Sequence, residues 1–149
     1  MAQEMRSPIE SGCPDGFQYM HPVRRKNYGQ WAYHEDPQPG VLVHVANSGE
    51  KIWTVRAGTQ RILDVYTLRE LCDIGDKYGE GYIHFTIRSN IEYQVADEAK
   101  VEPLIKALTD AGYIVGGTRN SVAMLSHTQG WLHCDIPGTD ASGVVKSMM

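Results

Sequence analysis

The order of periodic segments between residues 41 and 111 constrains the fold of this 149-residue chain more than any other feature. The runs VLVHVA and KIWTVRA alternate apolar and polar residues, and the link Asn47–Glu50 between them carries a glycine. They therefore predict a β-hairpin with a tight turn. Thr67 and Glu70 have the spacing of a helix capping box, and apolar residues recur on one face after them, which predicts a helix over 67–78.

The same segment continues with a second hairpin, a second helix and a last strand. Their predicted ranges are 81–87 and 91–95 for the hairpin, 99–111 for the helix, and 113–115 together with 121–125 for the strand. Pro103 falls in the first turn of the helix, where the missing amide hydrogen has no partner to lose. The resulting order, β-α-β-β-α-β, predicts an α+β fold of the split-βαβ or ferredoxin-like type.

The segments that flank this core have a different character. Residues 1–39 are rich in proline, glycine and polar residues and predict an irregular N-terminal arm. Its aromatic residues lead us to expect that it packs on its own domain rather than on a partner subunit. Residues 40–118 are expected to form the ferredoxin-like half-domain. The segment 139–149 predicts a short helix that stops with apolar residues at its end, so residues 119–149 are interpreted as the truncated start of a second domain.

Composition and charge disfavour several classes of function. The net charge is −4 and the pI is near 5.8, so the chain lacks the basic footprint of a nucleic-acid-binding protein. No apolar run reaches the roughly 18–20 residues that cross a bilayer, and no apolar leader is present, which predicts a cytoplasmic location. The three cysteines form no CxxC pair. A disulfide scaffold and a self-contained iron–sulfur cluster are therefore both disfavoured.

Three arginines lie at the ends of predicted strands or in a glycine-containing turn. Arg56 follows Val55 on the opposite face of its strand, Arg88 follows the run 81–87, and Arg119 lies in the turn. If they converge, they form an anion pocket of guanidinium groups suited to carboxylates or oxyanions. Each arginine alone is more often a member of a surface ion pair, so this hypothesis depends on their convergence.

The segment from Ser126 to Cys134 concentrates hydrogen-bonding side chains. His127 and His133 are six residues apart, which does not match the spacing of a helical metal-binding pair. We interpret the segment as a ligand-facing loop with one potential proton donor. The alternative is that both histidines bind backbone groups, and their spacing does not decide between the two. Cys134 is expected to be a small buried residue.

Five runs are distinctive in combination: YGQW (28–31), PGVLVHV (39–45), WTVR (53–56), FTIRSN (85–90) and HTQGWLHC (127–134). Together they resemble the N-terminal part of the beta subunits of dissimilatory (bi)sulfite reductases, in the nitrite and sulfite reductase family. The resemblance implies a ferredoxin-like half-domain followed by the start of a sirohaem and iron–sulfur domain. It also implies reduction of sulfite to sulfide by six electrons, through sirohaem coupled to a [4Fe–4S] cluster.

The resemblance further implies roles for individual residues. Arg56, Arg88 and Asn90 are expected to face the sirohaem carboxylates or the substrate anion. The adjoining cofactor-lining loop is expected to contain His127, Thr128, Gln129 and His133. Arg56 and His127 are the candidates for catalysis. Arg119 stands where a glycine is usual in the family, which leaves its role open.

Partners and cofactor ligands are implied by the same resemblance. The expected partners are the alpha subunit, in an α2β2 complex, and a small sulfur-carrier subunit. The family's cluster-binding cysteines lie beyond the point where this chain ends. We therefore expect no metal ligand in this chain, and no activity from the chain alone.

A regulatory module of the βαββαβ type, binding an amino acid at a dimer interface, is the alternative function. It explains the order of elements and the Gly116–Gly117 turn, but not the basic and aromatic arm or the loop 127–134. Tight binding of an amino acid by the chain would favour it. A nucleic-acid role for the sheet is disfavoured by the acidic pI and by the lack of paired aromatic residues.

Overall fold

The computed structural model describes residues 16–60, 62–128, 130 and 133–148. Within these ranges the chain forms one sheet, and its two longest helices pack on one face. The strands are β1 (Trp31–Gln38), β2 (Val41–Ala46), β3 (Lys51–Gly58), β4 (Tyr82–Phe85) and β5 (Asn90–Val95). The α-helices are α1 (Pro22–Lys26), α2 (Val65–Tyr78), α3 (Val101–Asp110) and α4 (Ala141–Met148). None of these helices has the length and apolar composition that crossing a membrane requires.

The five strands form an antiparallel sheet in the order β1-β2-β3-β5-β4. The two predicted hairpins are confirmed as β2–β3 and β4–β5. Strand β5 pairs with β3 in a register that sets Val55 opposite Tyr93 and Arg56 opposite Glu92. With α2 and α3 as the crossovers, the α+β, ferredoxin-like prediction holds for the segment from β3 to α3.

Both central helices form where apolar periodicity predicts them. Helix α2 begins two residues earlier than the predicted range, because the carboxylate of Asp64 caps it by accepting a 2.7 Å hydrogen bond from the Thr67 amide. The predicted capping role of Thr67 is therefore wrong. Pro103 is the third residue of α3, in the first turn as predicted.

The hydrophobic core lies between the two central strands and the two central helices. Alternation along the strands turns one apolar row toward the helices. The fully buried residues of this row and of the facing helices are Val55, Ala57, Ile91, Tyr93, Val95, Leu71, Leu104 and Leu108. The Tyr93 hydroxyl donates a 3.0 Å hydrogen bond to the Leu71 carbonyl, so the one polar group of this row is satisfied.

The predicted last strand is wrong for most of its length. Val115 makes a single bridge to Ala57, and 121–125 forms no strand. The reason is competition for one side of β3, where the carbonyl of Gly40 already accepts the Arg56 amide at 2.7 Å. Strand β2 occupies the rest of that side, leaving only the end of β3 open. There Gly58 donates to the Ile114 carbonyl at 2.8 Å.

A close crossing marks the same end of β3. A Cβ atom on Gly58 would lie 2.1 Å from the carbonyl oxygen of Ala123, a distance that real side chains do not tolerate. Gly58 therefore allows the segment around Ala123 to pass directly over the strand.

The end of the arm differs from its prediction, because Trp31–Gln38 forms the edge strand β1 rather than irregular chain. This strand is largely exposed, contains Pro37 and has two register shifts, all typical of an edge. From residue 16 onward the arm packs on its own domain, as predicted. Nε2 of His21 donates a 2.7 Å hydrogen bond to the Glu80 carboxylate, and the His21 ring contacts Tyr82 edge-on.

The predicted C-terminal helix is confirmed as α4. The carboxylate of Asp140 accepts a 3.0 Å hydrogen bond from the Gly143 amide and so caps its start. The first fifteen residues lie outside the described part of the chain.

Replacing Leu71 by alanine should lower the free energy of unfolding of the chain by about 2–5 kcal/mol, because the residue is fully buried between sheet and helices. Leu68 on the same helix is 37% exposed, and Leu68→Ala should cost clearly less. Urea unfolding followed by circular dichroism measures both. Equal losses in the two variants would contradict the packing described here.

Candidate functional site

The sheet face turned away from the central helices is polar and mostly buried. Alternation places Thr54 and Arg56 of β3 on this face, together with Asn90, Glu92 and Gln94 of β5. A cavity of about 560 Å³ lies on this face, and Arg24 of α1 and Trp31 of β1 also line it. Its polar lining residues are Arg24, His44, Thr54, Arg56, His84, Thr86, Glu92 and Gln94. The sequence-based placement of Arg56 opposite Val55 is confirmed.

Arg56 forms the centre of this face. Its Nε and Nη2 atoms lie 2.7 and 2.6 Å from Oε1 of Glu92, and its Nη1 donates a 2.8 Å hydrogen bond to the Gly117 carbonyl. The second carboxylate oxygen of Glu92 lies 3.0 Å from Nδ1 of His84. One cross-strand ion pair thus joins β3, β5, β4 and the 116–117 turn.

This pair already gives the Arg56 guanidinium a counter-ion. The side chains of Arg56 and Glu92 are only 15% and 10% exposed, so their charges meet with little water between them. Three contacts to oxygen atoms use part of the five N–H donors of a guanidinium. Two donors remain for a ligand, but the net charge of the pair is zero.

Asn90 and Arg88, which were predicted to face the same ligand as Arg56, do not line the cavity. Asn90 lies on the same face, opposite Gly58, and is only 3% exposed. Its Oδ1 is buried and accepts no hydrogen bond from the described residues. Arg88 is exposed in the turn before β5 and does not line the cavity.

The loop predicted to face a ligand lies apart from this cavity. His127 is half-buried and its Nδ1 contacts the Thr128 carbonyl, whereas Thr128 and His133 are exposed. None of these three residues lines the cavity on the polar face. Gln129 lies outside the described residues. The predicted convergence of Arg56, Arg88 and His127 on one cavity is therefore not seen.

Arg119 adopts a positive φ of 51°, a backbone region that favours glycine. A glycine would adopt this conformation without strain. The Nε atom of Arg119 lies 3.9 Å from Oδ1 of Asp36, so the side chain links the turn to β1. In this structure Arg119 is a partly exposed ion-pair member and not a cavity residue.

The cysteine prediction is wrong in one respect, because Cys134 is exposed rather than buried. Its amide donates a 2.9 Å hydrogen bond to the Gly130 carbonyl, and its neighbours His133 and Asp135 are exposed as well. Cys72 is also an exposed free thiol. Over the described ranges, no three His, Cys, Asp or Glu side chains gather as a metal site would require.

The sequence analysis did not assign four charged or titratable residues that line the cavity: Arg24, His44, His84 and Glu92. Alternation assigns Glu92 to a face, but the pairing with Arg56 depends on the register between β3 and β5. The sequence of either strand alone does not determine that register. Opposite charges at same-face positions of two predicted strands were the available signal.

His44 responds electrostatically to the cavity. Burial lowers its pKa from the ordinary value of 6.5, and the positive charge of Arg24 and the neighbouring His34 lower it further. The negative charge of Glu92 acts in the opposite direction but does not prevail. His44 therefore favours its neutral form in the folded chain.

Replacing Glu92 by leucine should lower the free energy of unfolding by about 3–5 kcal/mol, because it leaves the Arg56 cation buried without its counter-ion. The double variant Arg56→Met/Glu92→Leu should recover most of that loss. Lys106→Ala, which removes an exposed ion pair with Asp110, should change the free energy of unfolding far less. Urea unfolding decides, and a double variant no more stable than Glu92→Leu would refute the account.

The free energy of unfolding should fall as the pH drops below about 6.5, partly through His44. The folded pKa is depressed, so the unfolded chain binds more protons in the window between that pKa and 6.5, and acidification favours unfolding. In His44→Gln the decrease between pH 7.5 and 5.5 should be smaller. His133→Gln, at an exposed position, is the control, and equal slopes in all three proteins would exclude this role.

Comparisons with known proteins agree with the fold and identify proteins to which the chain is similar. Residues 44–111 match the family model described as the nitrite/sulfite reductase ferredoxin-like half domain. The chain is 50% identical over 137 residues to the dissimilatory-type sulfite reductase subunit beta of Archaeoglobus fulgidus, covering 87% of this chain and 37% of that protein. The subunit beta of Nitratidesulfovibrio vulgaris is 48% identical over 139 residues, covering 89% of this chain and 36% of the relative.

A third relative is the corresponding subunit of Megalodesulfovibrio gigas, 40% identical over 156 residues, with 99% of this chain and 60% of that protein covered. The chain thus spans between 36% and 60% of the length of the curated relatives it matches. The half-domain match, residues 44–111, lies in a chain of which the third relative covers 99%. The resemblance to the beta subunits of dissimilatory sulfite reductases is confirmed: the chain is similar to part of these proteins, and its residues 44–111 match the ferredoxin-like half domain of nitrite and sulfite reductases.

Proposed function

We propose that the protein to which this chain corresponds is a beta subunit of a dissimilatory sulfite reductase, which reduces sulfite to sulfide by six electrons. The observation that carries the proposal is the 50% identity to a named beta subunit over 87% of the chain. The half-domain match over 44–111 supports it independently. The chain's contribution is a rigid sheet with a polar face.

Sirohaem and a [4Fe–4S] cluster are the cofactors in this proposal. When bound, they would carry to the substrate the six electrons that an external reductant provides. Two observations on the polar face fit a polar ligand: a cavity of about 560 Å³ and, outside the lining of that cavity, a buried Asn90 Oδ1 that lacks a donor from the described chain. Such an unsatisfied group is costly unless a partner arrives.

The residues proposed to hold the cofactor or the anion are Arg56, Arg88, Asn90, His127, Thr128, Gln129 and His133. Arg56 offers two N–H donors that Glu92 and Gly117 leave free. Arg88 offers a whole guanidinium, exposed in a turn beside the sheet. His127 is the proposed proton donor, because sulfite reduction consumes protons along with electrons.

Ligands for the cluster are proposed to come from protein outside this chain. The two cysteines in the described ranges, Cys72 and Cys134, are exposed thiols in different elements and belong to no group of potential ligands. A [4Fe–4S] cluster takes four thiolates. The chain matches only 36–60% of the length of its relatives, which leaves room for such ligands in the proteins it resembles.

The partners in the proposal are an alpha subunit, in an α2β2 assembly, and a small sulfur-carrier subunit. The relatives are named as subunit beta, which supports a complex of several subunits. We propose a cytoplasmic location for the assembly. The free thiols of Cys72 and Cys134 support it, because cysteines stay reduced in that compartment.

The test is co-production of the complete subunit with its alpha subunit, followed by absorption spectroscopy and measurement of sulfide formed from sulfite. Arg88→Ala should raise the KM for sulfite or lower the sirohaem content about tenfold, since a charged hydrogen bond is lost. Arg69→Ala is the control, because Arg69 is exposed on α2 in the helix layer. A wild-type assembly with neither sirohaem absorption nor sulfide production would overturn the proposal.

A further inference from the structure

The charges that line the polar cavity do not balance. Two guanidinium groups, from Arg24 and Arg56, face one carboxylate, from Glu92. Glu92 contacts Arg56 at 2.6 and 2.7 Å, so its negative charge already compensates the charge of Arg56. An anion approaching Arg56 would also meet the negative charge of Glu92. The uncompensated positive charge of the cavity therefore comes from Arg24.

Arg24 has no hydrogen bond or ion pair with any residue that the structure describes. Its neighbour on α1, Lys26, is by contrast paired with Glu50 at 2.9 Å. Arg24 is half-buried and lines the cavity, whereas Arg25 is exposed and does not. A half-buried guanidinium without a partner costs free energy, which an anionic ligand would recover.

The short helix that carries Arg24 is held in place at both ends. At its start, Nε2 of His21 lies 2.7 Å from a carboxylate oxygen of Glu80, which also accepts from the Ala96 amide at 3.1 Å. At its end, Nδ2 of Asn27 donates to Glu50 at 2.9 Å. These contacts fix α1 over the sheet, so Arg24 is positioned over the cavity before any ligand binds.

We propose that Arg24 is an anion-binding residue of the polar cavity, contacting an oxyanion or carboxylate group of the ligand that occupies it. The assignment rests on the proposed function for the identity of that ligand and adds a contact from the N-terminal arm. The shared chemistry is an anionic oxygen pair, which suits a guanidinium fork. Its two possible sources are free sulfite and a carboxylate of the macrocyclic cofactor.

The electrostatics of the cavity agree with this placement. Arg24 lowers the pKa of His44, second only to burial, which shows that its charge reaches the cavity lining. The titratable and charged groups around His44 are Arg24, His34 and Glu92, and His84 also lines the cavity. A neutral His44 can then donate a hydrogen bond to the same anion without adding charge.

The test compares Arg24→Gln with Arg25→Gln in the complete subunit assembled with its alpha subunit. Binding of radiolabelled sulfite is measured by ultrafiltration, both in the cofactor-loaded assembly and in assembly produced in cells that cannot make sirohaem. Sirohaem content is measured by absorption. Arg24→Gln should weaken sulfite binding, or reduce the cofactor content, about tenfold. Arg25→Gln should behave as wild type, and Arg24→Lys should restore part of the effect.

The outcomes separate the two sources of the anionic group. Weaker sulfite binding with unchanged cofactor content identifies the free oxyanion, and reduced cofactor content identifies the macrocycle carboxylate. Equal sulfite affinity and cofactor content in wild type, Arg24→Gln and Arg25→Gln would overturn the proposal. If the wild-type assembly lacks sirohaem and sulfite reduction, the proposed function fails, while sulfite binding by the cofactor-free assembly still decides the role of Arg24.

Discussion

The antiparallel pairing of β3 with β5 determines both faces of the sheet. In the observed register Val55 and Tyr93 lie side by side in the core, and Arg56 and Glu92 lie side by side on the polar face. Because side chains alternate along a strand, a slip of one residue would move the guanidinium into the core and a valine into the cavity. The packing of the helices and the chemistry of the opposite face therefore depend on the same set of backbone hydrogen bonds.

The polar face is unusual for an antiparallel sheet because much of it is buried. Such faces are often solvated, but here every residue of β5 is buried, on both faces. The Arg56–Glu92 pair, with His84 bound to Glu92, joins three strands and the 116–117 turn, and Arg24 of α1 also lines the cavity. Side chains held this way change little when a charged ligand arrives, which is the condition for strong electrostatic stabilisation in a site with little water.

Local sequence patterns predicted those helices and strands whose own residues show a regular apolar periodicity. The alternation in 41–57 predicted the first hairpin, and the β-rich runs 81–87 and 91–95 predicted the second. Apolar periodicity predicted both central helices. Strand β1 was not predicted, since an exposed edge strand with Pro37 has no apolar alternation. The last strand was predicted and is reduced to one bridge, because β2 competes for the same side of β3 and no pattern within residues 113–125 reveals that competition.

The candidate site divides in the same way. Alternation placed Arg56 on the face opposite Val55, and the structure agrees. Its counter-ion Glu92 and the covering Arg24 were not found, because both depend on contacts between segments that lie 36 and 32 residues from Arg56 in the chain. The loop 127–134 stands apart from the cavity in the described residues, so its assignment still depends on the family resemblance.

The crossing at Gly58 has a consequence for how sequences of this kind diverge. The carbonyl oxygen of Ala123 occupies the space that a side chain at position 58 would need. Because this oxygen belongs to the backbone, no substitution of a neighbouring residue can remove it. Arginines on the polar face can be replaced when the ligand changes. Gly58, in contrast, is required by the path of the backbone around Ala123. Among distant homologues that have lost sulfite chemistry altogether, a glycine here should outlast the charged residues as a record of the shared fold.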